Sequence, residues 1–522
     1  MIDNSNINTT AKKQRIFLTG ATGTMGFLGM VELLKDASEI ELVVLVRPSD
    51  KNKKMLEPYT TNGCLEIVWG DLVDYKTTRR CVQDADIVLH VGAFVSPQAD
   101  YYPDQAMKIN FGSTVNIISA IRELGQEQTT KFVYIGTVAE TGDRMPPIHW
   151  GRVGDPIKPS VYDYYAVSKI AAERYAIESE LPYWVSLRQT GIIGPAMAGI
   201  EDAIMFHNCL DNVLEYVSDR DSAILLRNLC ARERRGELGS KFWGHVFNIG
   251  GGESCRVSAY EMYRIMFGAI GLKNLNHVAD PKWYATRNFH GQYYLDSDKL
   301  NDILDFRHDS MQYFYDSYLK NLGRLAPTAR FLTKFPGGQK FMGNIIKKRF
   351  LKLAKTEHGT VNFIENNMEE HIAAYWGSRE AWQKIEAFDQ FEKNHFKDWN
   401  QVVHIDRGYD ESKPEEQLNL DDISNAANFR GGKCLSEKMI TGNWTQKLKF
   451  QCAFGHDFEA SPRLVLEGGH WCPICERESW NYYERAKRDP FFAQVWNPLH
   501  DKNEKPYKYP KIVSELDVKI ER

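Results

Sequence analysis

The run RIFLTGATGTMG, residues 15–26, decides the fold. RIFLTG is brief, apolar on both faces and ends in glycine, as a buried parallel strand does. Gly20, Gly23 and Gly26 follow in a G-x-x-G-x-x-G spacing at the start of a helical stretch. Glycine suits a backbone that turns tightly and must approach a pyrophosphate with no Cβ in the way. The helix start behind it offers free N–H groups to that anion. A plain strand–helix turn would use the same residues, and the strand-first context favours a nucleotide site.

Working outward, ELVVLVR (41–47), LEIVWGD (65–71), DIVLHVG (86–92) and KFVYIGT (131–137) repeat the short β-rich pattern. The intervals leave room for one crossover helix each. The expected fold class is α/β, a doubly wound parallel sheet of Rossmann type, with a helical extension and a small zinc-binding domain. VSLRQTGIIG (185–194) and VFNIGGG (246–252) read as two later strands of the same sheet. A single core stops growing at ~250–300 residues, so a chain of 522 is expected to hold more than one unit.

Residues 12–325 are read as the sheet domain, with a substrate-covering lobe over about 196–325, where helical periodicity replaces strand signals. Residues 326–425 are charged and helical in pattern, as in NNMEEHIAAYWGSREAWQKIEAFDQFEKNHF. They end in DESKPEEQLNLDD (410–422), which reads as an acidic linker. Residues 430–480 bring closely spaced Cys, Gly, His and Trp, and 481–522 read as a charged tail.

The end of the second strand narrows the cofactor. An acid there would bind the ribose hydroxyls of NAD, whereas this chain has Arg47, which can pair with a 2′-phosphate and favours NADP. A solvated surface arginine is the plainer alternative. Asp71, after the third strand, is placed to accept from an adenine amino group, or else to cap a helix. Tyr165 and Lys169, in YYAVSK (164–169), share one helix face at i, i+4. The lysine charge is expected to lower the tyrosine pKa toward working pH and make it a general acid/base. Thr137, ending the fifth strand, can hold a substrate oxygen beside that tyrosine.

Taken together, TGATGTMG (19–26), GDLVD (70–74), HVGA (90–93), INFGSTVN (109–116), GTVAETG (136–142), YAVSK (165–169), RQTGIIGP (188–195) and LDSDKL (295–300) resemble the extended short-chain dehydrogenase/reductase superfamily, in family order over about residues 15–310. The resemblance implies Thr137, Tyr165 and Lys169 as catalytic residues. It implies Asn110 in the central helix, where a backbone kink supports a proton-relay water. Gly20, Thr22, Gly23, Thr24, Met25, Gly26, Arg47, Asp71, Leu72, Gly92, Ala93, Tyr165 and Lys169 would contact NADP. A small-molecule substrate and a homo-oligomer are expected partners. Family dehydratases place Asp-Glu after the threonine, whereas Val138 and Ala139 stand here. Sugar-nucleotide members read R-x-x-N-x-Y-G-P, whereas Gly191 and Ile193 replace the Asn and Tyr. The expectation is carbonyl/alcohol redox chemistry on a lipophilic substrate, steroid-like or a fatty aldehyde or acyl group. A nucleotide-sugar epimerase or reductase, or a non-catalytic NADP-sensing scaffold, is the alternative.

Near the C-terminus, Cys452-x3-His456 and Cys472-x2-Cys475 form two close pairs separated by fifteen residues. Thiolate and imidazole ligands at this spacing suit a tetrahedral zinc, and the pattern resembles treble-clef or zinc-ribbon modules. With four protein ligands the metal is expected to be structural. Cys434 and His470 are spare candidates. The other five cysteines read as small buried hydrophobes.

A net charge of −4 provides no global field for nucleic acid, so that partner is not expected. The N-terminal stretch is polar and lacks a secretory h-region, no run approaches the ~18 apolar residues of a membrane span, and a cytoplasmic location is expected. FMGNIIKKRFLKLAK (341–355) is a basic amphipathic helix, expected either to pack on the main domain or to touch a membrane surface.

Overall fold

The computed structural model describes residues 12–197, 202–394 and 397–508. The N-terminal polar stretch through residue 11 and the end of the expected tail, 509–522, lie outside the described residues. Seven parallel strands form the central sheet: β1 (Gln14–Thr19), β2 (Ile40–Val46), β3 (Leu65–Trp69), β4 (Ile87–His90), β5 (Lys131–Thr137), β6 (Trp184–Gln189) and β7 (His245–Ile249). Their order is β7-β6-β5-β4-β1-β2-β3. The direction of winding reverses between β1 and β4, and that crevice at the carboxyl ends of the strands is where such sheets bind ligands. Almost every residue of β1, β2, β4, β5 and β6 is buried, as continuous apolar strands between two helical layers must be.

Helix α1 (Thr24–Leu33) follows the glycine loop directly, α2 (Gly112–Glu123) and α3 (Tyr164–Ile177) cover one face, and α4 (Asp219–Arg234) packs on α1. A Cβ at Gly29 would sit 2.5 Å from Leu226 Cδ1, so these two helices meet closely. Thus α4, inside the segment expected to be a lobe, belongs to the sheet's helical layer, because its Leu225, Leu226 and Leu229 complete the core over β1 and β2.

Beyond residue 324, α5 (Leu325–Leu332) and α6 (Gly338–Ala354) form a hairpin. The following helical pattern is broken into short pieces, Glu369–Trp376, Arg379–Gln383 and Phe388–Asn394. Gly377 at φ +82° ends the first, and Ser378 caps the next. The acidic stretch 410–422 is pinned rather than a free linker. Glu411 pairs with Arg152 at 2.9 Å and Arg407 at 3.4 Å, Leu418 is buried, and Asn419 caps α7 (Leu420–Phe429).

Strands β8 (Lys433–Cys434), β9 (Leu448–Gln451) and β10 (Asp457–Ala460) make an antiparallel sheet around the Cys/His pairs. This segment does not stand apart as its composition suggested. Phe450, Leu464 and Trp471 share one continuous core with Ile117 and Ile121 of α2 and Ala172 and Ala176 of α3. The sheet is too small to bury its own apolar face and uses the outer helices of the main domain. The expected tail is also folded through residue 508. Its helices Tyr482–Arg488 and Pro490–Trp496 bury Phe491, Phe492, Val495 and Trp496, anchors that its many charges obscure in sequence.

Candidate active site

The glycine loop meets the β4 end at the winding reversal. Gly20 has φ +74°, and a Cβ there would lie 2.7 Å from Gly92 Cα. A Cβ at Gly26 would lie 2.2 Å from the Gly20 carbonyl oxygen. Both positions therefore exclude a side chain. Thr19 Oγ1 accepts from Gly92 N at 2.8 Å and contacts His90 Nδ1 at 3.0 Å. Burial and then the Lys169 charge hold His90 down to about 3, so it serves as a neutral strut.

A groove of about 560 Å³ opens over this crossing. All thirteen residues expected at the cofactor line it, from Gly20 and Thr22 through Arg47, Asp71 and Ala93 to Tyr165 and Lys169. Arg47 is exposed at the end of β2, and Lys51, which the sequence reading missed, adds a second cation at that end. Asp71 Oδ1 accepts from Val73 N at 3.1 Å, while Asp74 caps the next helix.

At the other end lie the three expected catalytic side chains. The Thr137 side chain faces the Tyr165 phenol and acts to lower its pKa. Lys169 Nζ donates to Ile135 O at 2.7 Å and sits 4.1 Å above the Tyr134 ring. Burial lowers the Lys169 pKa to about 8, against the opposing charges of Glu140 and Glu173. The expectation that lysine lowers the Tyr165 pKa is not met. Burial pushes this phenol up, the Thr137 contact offsets only part of that, and Glu140, Asp163 and Asp100 add to the rise. The phenol is thus a proton donor at neutral pH. Asn110 lies in a π-helical turn, Met107–Phe111, that leads directly into α2. Its amide is engaged twice with the Phe94 backbone, at 2.7 and 2.9 Å, and with Ser168 Oγ at 2.8 Å.

Beneath the site runs a buried charge network that sequence reasoning missed. Glu140 accepts from Thr137 N at 3.1 Å and pairs with Arg188 at 3.1 Å. Arg188 pairs with Glu173, one turn past Lys169, at 2.7 Å. Glu173 meets His470 Nε2 at 2.9 Å, and His470 Nδ1 lies 3.3 Å from Glu476, which pairs with Arg174 at 2.9 Å. Burial works against the Glu173 charge, but Arg188 and His470 more than offset it and hold its pKa well below the usual carboxylate range. Burial and then the Glu173 charge push the Glu140 pKa up, against the Arg188 charge. His470, a spare metal candidate by sequence, is committed to this network.

The four expected metal ligands do converge. Cys452 Sγ lies 3.8 Å from Cys475 Sγ, and His456 Nδ1 lies 3.5 Å from both Cys472 Sγ and Cys475 Sγ. Cys434 is not among this group of four, and its thiol faces Ser436 O at 4.0 Å.

A second space, of about 550 Å³, opens beside the start of α3, with Tyr164 in its wall where Tyr165 faces the groove. Six Tyr or Phe rings and four histidines line it. Tyr101 stacks on His358 at 3.6 Å and Tyr162 on His371 at 4.4 Å. Asp100 lines it and accepts from Tyr165 N at 3.0 Å; burial and then the Asp163 charge push its pKa up to about 8. Its rings come from segments far apart in sequence, so no local motif announces it.

Residues 16–221 match the NAD dependent epimerase/dehydratase family. Among curated proteins, the chain is 28% identical over 114 residues to a UDP-N-acetylglucosamine 4,6-dehydratase (inverting) of Campylobacter jejuni, covering 22% of this chain and 34% of that protein. It is 27% identical over 195 residues to a 3 beta-hydroxysteroid dehydrogenase/Delta 5-->4-isomerase of vaccinia virus, covering 33% and 51%. The chain thus spans between a third and about half of the length of these relatives. A dTDP-glucose 4,6-dehydratase double mutant from Streptomyces venezuelae, with NAD and DAU bound, is similar in structure at a TM-score of 0.47 and 20% identity, over 60% of this chain and 99% of that one. No helix among the described residues is long and apolar enough to cross a membrane.

Proposed function

We propose that this protein is an NADP-dependent oxidoreductase that interconverts a carbonyl and an alcohol on a lipophilic small molecule. One observation carries the reading: a glycine-walled groove at the winding reversal ends on Tyr165 and Lys169, with Thr137 against the Tyr165 phenol. The dinucleotide supplies or accepts the hydride. Tyr165 holds the proton for the substrate oxygen, Thr137 orients the phenol, and Lys169 brings positive charge to the same helix face. The Asn110 amide fixes the Phe94 loop over the groove and keeps Ser168, one residue before Lys169, in register.

The aromatic chamber beside Tyr164 supports an apolar or ring-bearing substrate. Burial pushes His207 and His371 down to about 4, so these imidazoles are neutral surfaces near pH 7. Among the described residues lining this space Lys508 is the one lysine or arginine, a poor complement for a nucleotide diphosphate. Val138 and Ala139, buried after Thr137, offer no second acid and base for dehydration.

Arg47 and Lys51 support the choice of NADP. Arg47→Asp is expected to narrow or invert the preference for NADPH over NADH, measured as the ratio of dissociation constants. Unchanged affinity for both cofactors would remove Arg47 from the site.

Cys452, His456, Cys472 and Cys475 would hold zinc. A tetrahedral ion with Zn–S of ~2.3 Å and Zn–N of ~2.0 Å needs ligand-to-ligand edges of ~3.5–3.8 Å; three of the donor pairs stand at such separations, and all four donors lie within 4.8 Å of one another. Four protein ligands leave no open position, so the metal staples the 430–480 segment and takes no part in hydride transfer. Metal analysis should find about one zinc per chain. Cys472→Ser should release it and quicken proteolysis across 430–480. A variant that keeps its zinc and its protease resistance would refute the ligand set.

A further inference from the structure

The α5–α6 hairpin carries a surface that the redox site does not use. From residue 317 to 356 the chain has ten Lys or Arg and no Asp or Glu, against a net charge of −4 for the whole. Six of the thirteen exposed large hydrophobic residues in the described chain fall within residues 325–345: Leu325, Phe331, Leu332, Phe335, Phe341 and Ile345. Apolar exposure and cationic charge thus concentrate on the same forty residues.

The geometry explains how both lie on one side. Helix α6 packs inward through Met342, Ile346, Phe350 and Leu353, with the Phe350 ring 5.8 Å from Phe206 and 6.0 Å from Phe267. Its opposite stripe, at i, i+4, i+7 and i+11, is Phe341, Ile345, Lys348 and Lys352, all exposed. Helix α5 buries Ala326 and Ala329 and exposes Leu325, Phe331 and Leu332. The turn between the helices is tight: a Cβ at Gly338 would lie 2.0 Å from Leu332 O. Phe331 and Phe335 meet edge to face at 5.0 Å beside that turn. The apolar groups therefore cluster at the hairpin tip, and exposed Lys334, Lys340, Lys348 and Lys352 flank them.

We infer that this hairpin docks the protein on an anionic lipid bilayer, its tip aromatics entering the interface and its lysines meeting the headgroups. A cationic face with an apolar tip matches a surface that is charged outside and apolar within. Nucleic acid would satisfy the lysines but leave the exposed Leu and Phe side chains without partners. A second copy of this chain would bring like charges together. The hairpin also borders the aromatic chamber: His358, in its wall, follows α6 by four residues, and Phe206, under Phe350, precedes His207 of that wall. A lipophilic substrate would thus be collected next to where it is used.

Flotation of the full chain with vesicles tests the inference. Binding is expected to phosphatidylcholine vesicles containing phosphatidylglycerol, with little to phosphatidylcholine alone. Lys348→Glu/Lys352→Glu should weaken it more than tenfold, on the scale of about fivefold for each basic charge removed. Phe335→Ser/Phe341→Ser should weaken it to a similar degree at unchanged charge. These side chains are exposed, and circular dichroism checks that the fold is kept. Failure of the unaltered chain to bind anionic vesicles overturns the inference. So does binding that ignores the Phe pair and is matched by duplex DNA, which would mark a polyanion site. A dimer that the Phe pair dissociates, with no vesicle binding, would mark a self-association face instead.

Discussion

Replacing Tyr165 by Phe is expected to lower turnover by ~10²-fold or more while leaving dinucleotide affinity nearly intact. The phenol stands half-buried beside Thr137 and is held well above its ordinary pKa, so near pH 7 it carries the proton that a carbonyl oxygen needs during reduction. The variant removes that donor and little else, since the ring still fills the groove end. Lys169→Ala should impair both turnover and cofactor binding, because Lys169 also lines the groove. The wild-type reduction should weaken as pH rises past about 8, where the buried Lys169 loses its charge. Full activity of Tyr165→Phe on a turned-over carbonyl substrate would sink this assignment of the acid.

Arg188→Met should cost ~3–5 kcal/mol of stability at neutral pH, the scale of breaking a buried ion pair by removing one partner. Arg188 is the shared cation of Glu173 and Glu140, and all three side chains are out of water. In the intact protein Glu173 is held below its unfolded pKa of ~4.3, so the pair's stabilisation is full above that pH and fades as pH falls through the folded value. In the variant Arg188 no longer offsets burial, His470 opposes it with less, and the Glu173 pKa rises. Its deficit should therefore be largest at neutral pH and shrink as acid neutralises the carboxyl. Chemical denaturation at a series of pH values reads both trends. A deficit under about 1 kcal/mol at pH 7, or one that grows toward acid, would show that the network bears no such load.

Much of the central domain was legible in sequence because its signals are local. The run ELVVLVR became β2 shifted by one residue, and KFVYIGT became β5 with the same limits. A positive φ at Gly20 and a close backbone approach at Gly26 leave glycine no substitute, and the Tyr165–Lys169 spacing is fixed by one helix. The convergence of Cys452, His456, Cys472 and Cys475 could be read for the same reason. Docking of that cysteine-bearing segment was hidden because it depends on pairs such as Glu173 with His470, 297 residues apart. His470 looked like a ligand beside Cys472, and only the fold turns it toward α3. The aromatic chamber likewise gathers Tyr101, Tyr164, Phe289 and Tyr375 from four segments. Charge also misled: the acidic stretch after residue 410 is tied down by Arg152 and Arg407, partners distant or individually unremarkable in sequence.

The most direct test titrates the purified full chain with NADPH and with NADH, following reduced-nicotinamide fluorescence. Saturable binding of one dinucleotide per chain is expected, tighter for NADPH. It should be lost when Gly26→Val fills the 2.2 Å approach to Gly20 O, in a variant whose folding is checked by circular dichroism. A folded, unaltered chain that binds neither dinucleotide at millimolar concentration would contradict the reading of this groove as a nicotinamide site.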